Sequence, residues 1–325
     1  MRCERILETA YESLNKMIKD RGYRMEDEHV YKNFYRFLGS YTDIVPHLPL
    51  DEIITFFPGA VDSFCTHEDL ISDLDSWIIE YFNAVFFASS GQEVIEVLAA
   101  HKEPFFSKLV RLLTLDDRHI IQKTLCVITN LTGMDSNWFV EAFEDRNIIE
   151  VISRLFQRND IVFFTDIFII LTNFFIGSQK FALRMKTDHH FIFSILQLSE
   201  NKPELDEQVL SFFRIFFDEP TSKHLQEFAL ANPEIIDFFI AKIKPDQSIM
   251  ALGKICRILR ELIQIADQVA CRFPDAENFL IERIKDSNDL MQKINEAENT
   301  NDTKVKQTYQ NLLIDFFDDV LIYPD

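Results

Sequence analysis

The chain is poor in glycine and in basic residues, and it has few cysteines and no long uninterrupted apolar run. Seven glycines in 325 residues leave little material for β-hairpin turns or phosphate-cradling loops, which need positive φ or close backbone approach. Lys and Arg number 33 against 53 Asp and Glu, a net charge of −20. A surface this acidic is repelled by nucleic-acid phosphate and by anionic lipid, and no basic block concentrates the positive charge. Nucleic acid and membrane are therefore not expected partners, whereas a basic peptide or basic protein surface is. The plainer alternative is that acidity keeps a Phe-rich chain soluble. The five cysteines (Cys3, Cys65, Cys126, Cys256, Cys271) form no CxxC pair and no Cys/His ligand spacing, so reduced, buried thiols are expected. The longest apolar stretch, Ile161 to Ile176, contains Asp166, Thr172 and Asn173. It is too short and too polar to span a membrane, and a fully buried central helix is expected there. No signal-peptide pattern opens the chain, so a cytoplasmic and/or nuclear location is expected.

Catalytic and metal signatures are equally sparse. Eight histidines include no HExxH or HxH spacing, and the His189-His190 pair is expected in a solvated inter-helix turn. No GxSxG, P-loop or dinucleotide fingerprint occurs. Carboxylate pairs fall at expected helix starts, where they satisfy free amides and oppose the dipole. No enzyme activity, cofactor, metal or small-molecule substrate is expected.

What the chain has in quantity is phenylalanine, 32 residues, within a 47% hydrophobic composition ample for a continuous core. The apolar residues recur at helical spacing. From about residue 41, and most clearly from residue 92, a grammar repeats: short helix, medium helix, long helix. The segments are 92–100, 104–115 and 118–131; then 136–143, 148–156 and 161–176; then 180–186, 191–198 and 204–217; then 222–231, 234–243 and 248–265. Units starting near residues 91, 134, 179 and 221 give a period in the forties, which for all-helical patterning points to a HEAT or armadillo-type solenoid. The expected architecture is all-α, a right-handed solenoid of about six units. Residues 1–40 form an N-terminal helical cap, 41–266 the array, and 267–325 a final repeat and C-terminal cap. The long helices expected at 50–64 and 68–88 belong to a first unit. Those at 275–294 and 303–321 belong to the last.

Asparagine recurs inside the long apolar helices, at Asn83, Asn130 and Asn173. An amide in such a helix must satisfy its donors and acceptor, because each lost bond costs about 1–3 kcal/mol. It either ties a neighbouring turn in the core or faces a groove, where it could hold the C=O and N–H of an extended peptide. The strings Thr129-Asn130-Leu131-Thr132-Gly133 and Thr172-Asn173-Phe174-Phe175-Ile176-Gly177 resemble the end of the third helix in armadillo repeats of the importin-α type. That resemblance implies an Asn ladder clamping the main chain of a basic nuclear-localisation-like peptide. The chain departs from the family in placing Ile79, Cys126 and Ile169 where it has tryptophan, and in lacking a basic importin-β-binding tail. Two carboxylates, Glu80 and Asp166, precede their asparagines by three and seven residues and supply negative charge on the same face. Arg214 and Arg257 are expected to replace the asparagine in the following units and to mark an anion-preferring half. The expected function is a non-catalytic adaptor holding an extended peptide through Asn83, Asn130, Asn173, Glu80, Asp166, Arg214 and Arg257. The alternative is a structural or kinase-type scaffold subunit packing against a folded partner.

Overall fold

The computed structural model describes residues 57–66, 73–88 and 92–272, apart from turn residues 135, 136, 145, 201, 219–222, 233 and 244–248, together with 303, 306 and 307. The expected N-terminal pair lies outside the described residues, as do nearly all of the expected C-terminal helices. Two compact units divide after Ser89. Among the described residues there is no strand.

In the first unit, α1 (Phe57–Thr66) packs on α2 (Asp73–Ala88). Phe57 and Phe64 meet Phe82 edge-on, at 5.7 and 5.4 Å between ring centroids. Such pairs add about 0.5–1.5 kcal/mol to simple burial.

The second unit repeats one triplet four times. The triplets are α3 (Gln92–Ala99), α4 (Lys102–Leu112) and α5 (Arg118–Thr132); α6 (Asn137–Glu144), α7 (Ile148–Gln157) and α8 (Ile161–Gly177); α9 (Gln179–Thr187), α10 (His189–Glu200) and α11 (Asp206–Phe216); and α12 (Lys223–Ala231), α13 (Ile235–Ala241) and α14 (Ile249–Arg272). The three-helix order read from sequence holds in all four, but the short, medium, long grading holds only in the first two: α10 has 12 residues to the 11 of α11, and α12 has 9 to the 7 of α13. Two further details differ. His189 and His190 open α10 instead of sitting in a turn, because Asp188 accepts from the Phe191 amide at 3.1 Å and starts the helix there. Helix α14 also runs past Ile265 to Arg272.

Helix starts follow the capping chemistry expected. Asp117 accepts from the amides of His119 and Ile120 at 2.9 and 3.1 Å. Asp160 does the same for Val162 at 3.2 Å. Each cap of this kind contributes about 1 kcal/mol. The residue ahead of Asp160, Asn159, takes a left-handed φ of 57°, which asparagine tolerates better than most residues. Helix α11 instead follows a 3-10 turn (Pro203–Leu205) and has no side-chain cap.

The third helices α5, α8, α11 and α14 lie side by side, and the contacts between successive members are the most extensive among the described helices. Phenylalanines fill the space between layers: Phe156 against Phe164, Phe168 against Phe212, Phe213 against Phe239. Each buried ring contributes about 1.5–3 kcal/mol. Polar ties join each unit to the next at nearly the repeat interval. Arg118 reaches Asp160 at 3.0 Å, Arg146 reaches Glu103, and Lys254 reaches Ser211 at 2.7 Å. The most enclosed tie is Lys242, which donates to Asp206 at 2.8 Å and to the Ser199 carbonyl at 2.6 Å.

Glycine matters at one junction in particular. A Cβ on Gly177 would lie 2.9 Å from a Val140 methyl, so the end of α8 sits on α6 at a distance only glycine allows.

Candidate functional site

Helix α8 is not fully buried, contrary to the expectation for its apolar run. One stripe stays open: Thr165 and Ile169 are exposed, Asp166 and Asn173 half-buried, and Ile176 is 67% exposed. Residues 166, 169, 173 and 176 share one helical face. The corresponding stripe on α5 holds Lys123, Cys126 and Asn130, all half-buried. The buried positions fix this correspondence. Those of α5 from Ile120 to Leu131 reappear 43 residues on as Phe163 to Phe174, and those of α8 reappear 42 residues later as Leu205 to Phe216.

That register splits the asparagine series. Asn130 and Asn173 occupy the same position in successive units. Asn83 does not: in α2, Ile79 is fully buried four residues before it, whereas the equivalents Cys126 and Ile169 are open. The buried pattern of α2 aligns Asn83 with Thr129 and Thr172, and Glu80 with Cys126 and Ile169. Similarly, Arg214 follows Thr172, while Ile215 follows Asn173. Arg257 shares the position of Ser211. Sequence spacing alone missed these slips, of one residue for Asn83 and Arg214 and four for Arg257, because unit lengths vary.

The side chains on the stripe differ in their commitments. The Asn173 amide donates to Thr132 Oγ1 at 3.2 Å, which ties α8 to α5 and leaves its carbonyl oxygen without a partner among the described residues. Asp166 has neither a hydrogen bond nor an ion pair among them, and burial pushes its carboxyl up to about 6. Burial, helped by the Asp166 charge, raises the Cys126 thiol above its ordinary range. Thr129 Oγ1 and Gln208 Oε1 are buried without hydrogen-bond partners, against the strong tendency of buried polar atoms to be satisfied.

No family model and no curated protein matches this sequence. Solved structures do resemble it in fold. A designed armadillo repeat protein superimposes with a TM-score of 0.58 at 10% identity, covering 80% of this chain and 99% of that one. A second, in complex with the peptide (KR)4, gives 0.58 at 12% identity, covering 80% and 98%. Computationally designed armadillo repeat proteins for modular peptide recognition give 0.57 at 12%, covering 80% and 99%. The fold is an armadillo solenoid. The open stripe on α5, α8, α11 and α14 is thus the third-helix face of four armadillo repeats.

Along that armadillo face the charge changes. Asp166 is unneutralised, whereas Arg257 is held by Asp218 at 2.7 Å and lies 4.0 Å from Glu261. Two carboxylates around one guanidinium remove the anion preference expected of Arg257. Arg214 is half-buried with no partner among the described residues, so it alone keeps that character. Exposed Ile169 and Ile176 were not anticipated as contacts. The only sequence signal was the place of Ile169 four residues before Asn173.

Proposed function

We propose that the chain is a non-catalytic protein-binding repeat scaffold whose third-helix face receives an extended peptide. The observation that carries this reading is Asp166, a half-buried carboxylate with no partner among the described residues, one turn before exposed Ile169 on the stripe that runs on through Asn173 to exposed Ile176. A cation on the ligand would neutralise it, and apolar ligand side chains would cover the two isoleucines. The free Asn173 carbonyl would accept from the ligand main chain. The (KR)4 complex of a similar fold supports a basic peptide as ligand, as does the net charge of −20. A transport adaptor of importin-α-like kind, working in cytoplasm and nucleus, is one role such a face would serve. Arg214 would meet an acidic residue farther along the ligand.

The test is titration of a fluorescent lysine-rich peptide at low and physiological salt. Saturable micromolar or tighter binding that Asn130→Ala/Asn173→Ala removes, with helicity intact, is expected. Affinity unchanged in the double variant, or binding that salt simply erases, overturns the reading. The scaffold alternative draws on exposed Leu183 and Leu230, which lie on the neighbouring first helices α9 and α12. Recovery of one stoichiometric folded partner, lost on Leu183→Glu/Leu230→Glu, would favour it.

A further inference from the structure

The second helices carry a surface of their own. Between α7 and α10 lies a depression of about 650 Å³ floored by Phe156, Phe191 and Leu198. Between α10 and α13 lies another of about 550 Å³, floored by Phe193, Leu196, Ile235 and Phe238. The two share Gln197 and Glu200 as a dividing ridge. Their rims are acidic, with Asp188 on the first, Glu200 on both, and Glu234 and Asp237 on the second. Glu200 and Glu234 are exposed and have no partner among the described residues. Among the lining residues the one cation is Lys242, and its ammonium is turned inward onto Asp206. The surface therefore combines an apolar floor with uncompensated negative charge.

We propose that this second-helix surface docks a basic amphipathic helix of a partner protein, with one bulky apolar side chain in each depression and lysines or arginines facing Glu200 and Glu234. Charge complementarity sets the sign of the partner and excludes phosphate-bearing surfaces. Spacing sets its conformation. Neighbouring packed helices are about 8–10 Å apart, so the depressions flanking α10 are separated by about 10 Å. Two side chains seven residues apart on a helix share a face and are about 10 Å apart at 1.5 Å per residue. Same-face residues of an extended chain instead fall about 7 or about 13 Å apart, out of step with the two depressions. This is helix-in-groove recognition, on different residues from the third-helix face.

The probe is a fluorescent Lys/Ala helical peptide carrying Phe at two positions seven apart, beside its counterpart with Ala at both. Binding to the full chain is read by anisotropy at physiological salt. The Phe peptide is expected to bind at least 10-fold tighter than the Ala peptide. Glu200→Lys/Glu234→Lys should weaken it at least 10-fold, as should Ala241→Trp, which fills the second depression from an exposed position. Glu93→Lys, the same charge reversal at an exposed position of the first helix α3, should change affinity less than 2-fold. Equal binding of both peptides, no binding, or affinity untouched by either second-helix variant overturns the proposal. So does loss on Asp166→Asn, which would assign the peptide to the third-helix face. Because the third-helix reading is tested through Asn130 and Asn173, the two readings can fail separately.

Discussion

Replacing Asp166 by Asn should make the protein more stable and a poorer binder at once. The carboxyl is pushed from its ordinary 3.8 to about 6 by burial, with no cation to offset it. For a fully enclosed group that rise corresponds to about 3 kcal/mol; Asp166 is half-buried, and screening reduces the figure to about 1–2 kcal/mol. The sign follows from linkage. The folded chain holds this proton to higher pH than the unfolded chain, so the destabilisation is absent below about pH 3.8, grows as pH rises through about 6, and is complete at neutral pH. Urea unfolding should therefore show Asp166→Asn gaining about 1–2 kcal/mol at pH 7 and converging on the parent below pH 4. A lysine-rich peptide should bind the variant about 10-fold more weakly at pH 7, where a charge-assisted hydrogen bond is lost. Affinity of the parent should rise between pH 5 and 7, as Asp166 ionises, and then level off. A variant less stable than the parent at pH 7, or one that binds the peptide equally well, would show that Asp166 is satisfied internally and is no recognition residue.

Two further substitutions probe the joints between units. Lys242→Met leaves the Asp206 carboxylate enclosed without its ammonium, at a cost of about 3–5 kcal/mol. Lys242→Met/Asp206→Leu should recover most of this in urea titrations, and a loss below about 1 kcal/mol in the single variant would mean that water reaches Asp206. Gly177→Ala places a methyl 2.9 Å from Val140 and 3.4 Å from Asn137 Oδ1, an overpacking worth about 1–3 kcal/mol. Adding Val140→Ala should return part of it; no loss on Gly177→Ala would mean that α6 shifts freely.

The helical triplets were legible in the sequence because apolar period, Asp caps and short polar turns all report on local structure. Asp117 and Asp160 perform at the helix starts what their positions promised. The open stripe of α8 was hidden because Ile169 and Ile176 are as apolar as the residues that bury, and burial depends on what lies opposite. The asparagine series misled for a related reason. Asn83 and Asn130 occur in similar strings, but neighbouring units differ in length, and only the buried positions fix equivalence. Partners such as Thr132 for Asn173, or Asp218 for Arg257, lie 41 and 39 residues away and leave no local trace.

The ties between units have a bearing on how the chain folds. They span between 34 and 47 residues, from Arg184–Glu150 to Lys254–Glu207, and the third helices touch in strict succession. Loop-closure entropy is thus incurred over one repeat at a time, whatever the number of repeats. Relative contact order is of order 0.1, the range of fast-folding helical domains. Within the array, growth by another repeat lengthens the surface without lengthening any search the chain must make to find its fold.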